Sequence, residues 1–133
     1  MDYKNLIEKA LEARELAYVP YSKFKVGAAV LFEDDKIYTG CNIENASFGA
    51  TNCAERTAIF KGVSEGNKVI RAIALVGDIK TYTTPCGICR QVLSEFIENE
   101  KTPIILIKNK DDYKVKTFEE IMPGAFTKKD LEN

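Results

Sequence analysis

Apolar residues follow two rhythms along this chain, one with a step of three to four and one that is nearly continuous. Over the first twenty positions, Tyr3, Leu6, Ile7, Ala10, Leu11 and Tyr18 recur at the helical spacing, which lines side chains along one face of an α-helix. The pattern predicts an amphipathic helix that runs on until Pro20 ends it, since proline has no amide hydrogen to donate. Val26 to Phe32 then reads as a strand, Glu33-Asp34-Asp35-Lys36 as a hairpin turn, and Ile37 to Glu44 as the antiparallel partner. Asn52 is the expected cap of a second helix, Cys53 to Val63, which stops near Gly66. Val69 to Val76 is almost unbroken apolar sequence, as expected of a strand covered on both faces. Pro85 suits the first turn of a third helix whose Val92, Leu93, Phe96 and Ile97 face the core. Pro103 to Ile107 is a further buried strand. Lys108 to Lys116 reads as a solvated turn, Tyr113 to Phe118 as a weaker strand, and short helical pieces follow from Glu119 around Met122-Pro123-Gly124.

The predicted order is α-β-β-α-β-α-β-β. Helices alternating with strands in the second half require crossovers, so the expected fold class is α/β: a three-layer sandwich with a mixed sheet and helices on both faces. A length of 133 residues suits a single domain over 1–133, and 45% hydrophobic content excludes a disordered chain. Nineteen Lys and Arg stand against twenty Asp and Glu. That balance argues against nucleic acid as a partner, because phosphate neutralisation needs a cationic excess, and it points to a small molecule. No apolar run approaches the roughly 20 residues needed to cross a bilayer, so no membrane partner is expected. The N-terminus has no apolar leader segment, and the expected location is cytoplasmic.

Four cysteines, Cys41, Cys53, Cys86 and Cys89, and no histidine narrow the chemistry. The absence of histidine removes Ser/His and Cys/His triads. In a reducing compartment the cysteines read as metal ligands or reactive thiols. Cys53 opens the second helix, and Pro85-Cys86-Gly87-Ile88-Cys89 opens the third. Helix starts carry unpaired N–H groups and a partial positive charge that favour thiolates. Two of them brought together make a three-sulfur site suited to Zn²⁺ with one position left open, as catalytic zinc requires. Glu55, two residues after Cys53, is placed to act as general acid/base at that position; as a fourth ligand it would close the site. Zn²⁺ with three thiolates carries net negative charge, which Arg56 can offset by hydrogen-bonding the sulfurs. Two other arrangements use the same cysteines: a closed structural Cys₄ site that includes Cys41, and a thioredoxin-like redox pair at Cys86 and Cys89. Taken alone, Phe24 reads as a core residue, Asn42 and Glu44 as a solvated sheet rim, and Phe126 as a clasp within its own subunit.

Cys53-Ala54-Glu55-Arg56 followed by Pro85-Cys86-Gly87-Ile88-Cys89-Arg90-Gln91 resembles the zinc signature of small cytidine deaminases, in its all-cysteine form. Three further segments are similar to the same family: Tyr21-Ser22-Lys23-Phe24-Lys25-Val26-Gly27-Ala28-Ala29, Asn42-Ile43-Glu44-Asn45-Ala46, and Pro123-Gly124-Ala125-Phe126. The resemblance spans most of the chain and implies a cytidine-deaminase-like fold. The implied activity is hydrolysis of cytidine and deoxycytidine to uridine and deoxyuridine with release of ammonia. It implies one Zn²⁺ per subunit on Cys53, Cys86 and Cys89, water activated there for attack on C4, and Glu55 moving its protons. It further implies Phe24 against the base, Asn42 and Glu44 on the ribose hydroxyls, and Ala54 and Phe126 as further substrate contacts. The family's assembly implies a homotetramer whose active sites borrow residues from neighbouring subunits, with Phe126 and the loop Ala46 to Phe48 as candidates. Where the family usually has Tyr, Ser and Ala, this chain has Phe48, Thr84 and Ile88. A deaminase of another cytosine-containing small molecule, of the blasticidin S type, shares the zinc signature but not Phe24 or the Asn42-x-Glu44 pair.

Overall fold

A computed structural model describes residues 2–78 and 80–132. Its elements are α1 (Lys4–Arg14), β1 (Gly27–Phe32), β2 (Ile37–Cys41), α2 (Ala54–Ser64), β3 (Ile70–Val76), α3 (Gly87–Phe96), β4 (Pro103–Asn109), β5 (Asp112–Thr117) and α4 (Phe118–Ile121). The strands form one sheet in the order β2-β1-β3-β4-β5. Only β3 and β4 pair in parallel; β1–β2, β1–β3 and β4–β5 are antiparallel. The expected mixed sheet and three layers are therefore present.

Alternation along the strands divides the core. Ala28, Val30 and Phe32 of β1, with Ile73 and Leu75 of β3 and Ile104 and Leu106 of β4, point to the face covered by α2 and α3. Ala29, Ala72, Ala74, Val76, Ile105 and Ile107 point to the other, where Leu6, Ile7 and Ala10 of α1 close over them. This is why the central strands read as continuous apolar runs: each side of the pleat meets a helix. Gly27 and Gly40 let those helices come close. A Cβ on Gly27 would stand 2.2 Å from the Ala10 carbonyl oxygen, and one on Gly40 2.5 Å from the Ala58 nitrogen.

Five expectations are corrected. The first helix ends at Arg14 and does not continue through Tyr18 to Pro20, because Tyr18 pairs its backbone with the chain beyond β2. Its N–H donates to Asn42 O at 3.0 Å, and its carbonyl accepts from Glu44 N at 2.9 Å. For the same reason β2 stops at Cys41, short of Glu44, and Ile43 forms isolated bridges to Tyr18 and Asn52. Asn52 is thereby occupied, and the cap of α2 is Cys53. At the third helix Pro85 precedes the cap, Cys86, and the helical residues begin at Gly87. The stretch read as a solvated turn is mostly paired strand, with β4 and β5 joined across Lys110-Asp111.

Candidate active site

Two helices on one face of the sheet both begin at cysteines. Cys53 and Cys86 hold the cap positions of α2 and α3 with extended backbone, ψ 156° and 168°. Cys86 Sγ accepts the amide of Cys89 at 3.4 Å, and Cys89 lies fully buried in the first turn of α3. All three Sγ atoms fall within 4.8 Å of one another, and those of Cys53 and Cys86 are 3.6 Å apart. A disulfide bond would need about 2.05 Å. Two sulfurs on a tetrahedral Zn²⁺, each at about 2.3 Å, stand about 3.8 Å apart. The spacing and the all-sulfur donor set therefore fit zinc held by three thiolates. Cys41 is half-buried on β2, and its carbonyl accepts the Thr57 hydroxyl; the cluster is made without it, so the Cys₄ arrangement is not assembled. Convergence of Cys53 on the pair likewise sets aside a two-cysteine redox site.

The electrostatics follow from helix starts, burial and one guanidinium. Arg56 Nη2 donates to Cys53 Sγ at 3.3 Å, while its buried Nε has no partner. Hydrogen bonds from Cys89, then Arg56, pull the Cys53 thiol down to about 5, against its own partial burial. The hydrogen bond to Cys53 raises Cys89, and burial raises it further. Arg56 is held still more firmly as a cation, first by its hydrogen bond to Cys53. Glu55, in the first turn of α2, is only 4% exposed. Burial, reinforced by the nearby Cys53 charge, pushes its carboxyl up to about 7. A carboxyl buried beside a thiol cluster at two helix starts is a group that can hold or release a proton near neutrality.

A second group of residues surrounds the segment 20–26. Asn42 uses its amide like a backbone unit: Oδ1 accepts Val26 N–H at 2.9 Å, and Nδ2 donates to Phe24 O at 2.8 Å. Glu44 Oε1 accepts the amides of Tyr21 and Ser22 at 3.0 and 3.1 Å. Asn42 and Glu44 thus reach the same segment. Phe24 is 41% exposed, its ring tip resting where a Cβ on Gly77 would come within 2.9 Å, so it is half core and half presented surface. Tyr21, Ser22, Glu44, Asn45, Phe48 and Thr51 line a cleft of about 400 Å³. The cleft adjoins the chain leading into Cys53 but contains none of the three cysteines.

The remaining expected contacts are more dispersed. Ala54 is fully buried in the core beside the sheet, which leaves its backbone N–H, unpaired at a helix start, as the group it can offer. Phe126 is 59% exposed on the tail after α4, and Gln91 Nε2 donates to its carbonyl at 2.8 Å. Arg90 Nε donates to Pro85 O at 2.7 Å and its Nη1 to Ile121 O. Sequence reasoning missed the parts played by Ser22, Arg90 and Gln91. Their partners lie 22, 31 and 35 positions away, and nothing local marks such pairings.

A three-layer α/β/α sheet with three cysteines gathered at two helix starts and a glutamate buried beside them defines a zinc-dependent deaminase architecture. Residues 1–104 match the family model described as the cytidine and deoxycytidylate deaminase zinc-binding region, and the chain belongs to that family. It is 53% identical over 131 residues to a cytidine deaminase of Sporosarcina psychrophila, covering 98% of this chain and 96% of that one. Identity to the cytidine deaminase of Halalkalibacterium halodurans is 51% over 131 residues, covering 98% of each. The crystal structure of cytidine deaminase from Burkholderia pseudomallei superposes with a TM-score of 0.87 at 44% identity, covering 95% of this chain and all of that one.

Proposed function

We propose that this protein hydrolyses cytidine and deoxycytidine to uridine and deoxyuridine with release of ammonia. The observation that carries the reading is the trio of sulfurs within 4.8 Å beside a buried Glu55, in a chain 53% identical to a cytidine deaminase. Cys53, Cys86 and Cys89 would hold one Zn²⁺ per subunit. When bound, the zinc supplies a Lewis acid that activates water at neutral pH. Glu55, a buried carboxyl that can hold or release a proton near neutrality, would accept a proton from the attacking water, pass it to N3 of the ring, and then assist protonation of the departing amine. Arg56 offsets the charge of the sulfurs. Ala54 offers its N–H to the base, and the exposed face of Phe24 packs against it.

Asn42 and Glu44 take the sugar hydroxyls. Each Asn42 amide atom makes one contact to the 20–26 segment and keeps a second donor or acceptor position free. Glu44 also repels a 5′-phosphate, favouring nucleoside over nucleotide. The exposed rings of Phe48 and Phe126 support a homotetramer in which neighbouring subunits complete each site. A single sheet with its helices supports reading 1–133 as one domain. No helix among the described residues is long and apolar enough to cross a membrane.

The test is ammonia release from cytidine, deoxycytidine, cytosine, CMP and blasticidin S by the zinc-loaded protein. Cytidine and deoxycytidine are expected to be consumed and the other three spared. Glu55→Ala should retain one zinc per chain and lose turnover by at least roughly 100-fold, the contribution of a positioned proton carrier. Normal deamination by that variant rejects the role given to Glu55, and turnover of blasticidin S alone moves the reading to that substrate.

A further inference from the structure

The Glu44 carboxylate is already engaged on most sides. Oε1 accepts two backbone amides, from Tyr21 and Ser22, and Oε2 accepts the Ser22 hydroxyl. A carboxylate has about four lone-pair positions, so this set leaves one, on Oε2, for anything else. The Ser22 hydroxyl oxygen in turn accepts Phe24 N–H at 3.0 Å. Between them Lys23 adopts φ 62°, a left-handed conformation uncommon for a non-glycine residue, with its N–H on Val19 O at 3.1 Å. Ser22 and Glu44 both line the cleft described above.

From this geometry we infer that Ser22 is a positioning residue for the sugar end of the substrate. Its hydroxyl orients Glu44 so that the free Oε2 position faces the sugar hydroxyls, and it ties that carboxylate to the backbone of Phe24, which presents the ring to the base. One side chain thereby registers the sugar contact against the base contact. The inference rests on reading Glu44 as the sugar ligand. The Ser22 hydroxyl above all, joined by the Ser22 and Tyr21 amides and the nearby Lys23 charge, outweighs the opposing effect of burial and holds the Glu44 carboxyl below the usual carboxylate range, so an anion is kept for this role at neutral pH.

The test compares zinc-loaded wild type, Ser22→Ala and Ser22→Thr on cytidine and 2′,3′-dideoxycytidine. Each compound is measured by KM where it turns over and by its inhibition constant where it does not. Losing a hydrogen bond to a charged group is expected to raise the cytidine KM of Ser22→Ala roughly tenfold, with kcat within about twofold. The dideoxycytidine constant should move by no more than about twofold, since that ligand lacks the 2′- and 3′-hydroxyls for Glu44 to hold, and Ser22→Thr should recover most of the cytidine affinity. Ser22 is exposed, and Ser22→Gly repeats the deletion should the alanine variant fold poorly. An unchanged cytidine KM in Ser22→Ala beside an active wild type overturns the inference alone. An equal rise for both ligands overturns it too, by showing that Ser22 merely supports the loop. A wild type that leaves cytidine intact removes the underlying function and the inference with it.

Discussion

Arg56 is the guanidinium that hydrogen-bonds the sulfur cluster. Zn²⁺ with three thiolates is a net anion, a weaker Lewis acid than a cluster with a neutral ligand. Withdrawing charge from one sulfur restores part of that acidity, and Arg56 Nη2 already contacts Cys53 Sγ at 3.3 Å. Outer contacts of this kind typically carry a 10- to 100-fold effect on metal affinity or activity. Arg56→Ala is therefore expected to lose zinc to a chromophoric chelator at roughly 10-fold lower chelator concentration, with its far-ultraviolet circular dichroism unchanged. Arg56→Lys should recover only part of the loss, because an ammonium is a point charge and lacks the planar fork. Zinc affinity and turnover both at wild-type level in Arg56→Ala would remove it from the site.

At the scale of elements, the site depends on how closely α2 lies against the sheet. Cys53 caps α2, so its Sγ goes wherever the start of that helix goes. Gly40 on β2 permits the approach: an added Cβ would stand 2.5 Å from Ala58 N and 2.6 Å from Ala54 O, both backbone atoms of α2 that cannot swing aside. Gly40→Ala should lower stability by about 1–3 kcal/mol, the usual cost of overpacking, read as a shift in the urea midpoint. It should also lower zinc content, because relief requires the helix and Cys53 to move. Gly49→Ala, where a Cβ meets nothing within 4 Å, should change stability by no more than about 0.5 kcal/mol. Equal behaviour of the two variants would show that the Gly40 contact is not limiting.

The whole molecule leaves large apolar side chains in water. Phe48 is 80% exposed, Leu16 79% and Ile88 63%, with Phe126 well exposed too. Phe48 and Ile88 lie within six residues of Cys53 and Cys86 along the chain. Phe48 lines the cleft itself, and an exposed apolar ring beside a cleft offers another protein surface a place to settle. Closed symmetric assembly of identical chains is the common way to cover it. Sedimentation equilibrium is expected to return about four times the 14.9 kDa chain mass. A chain-sized species at micromolar concentration would leave those rings uncovered and sink the shared-site arrangement.

Much of this protein was legible before any coordinate. Local spacing determined the element order, the two-sided burial of Val69 to Val76, and the three cysteines with Glu55 and Arg56, because helix starts and first turns are short-range events. Boundaries failed where a distant partner competed with local periodicity, as when Tyr18 left the helical register to pair with Asn42 and Glu44. Only the tertiary structure decided that Cys41 stays outside the cluster and that Ser22 is joined to Glu44. It also decided that α2 and α3 start side by side. The reason is physical: residue type and spacing dictate what a segment can offer, whereas which offers meet depends on sheet order and on how closely helices pack, and those belong to the folded chain as a whole.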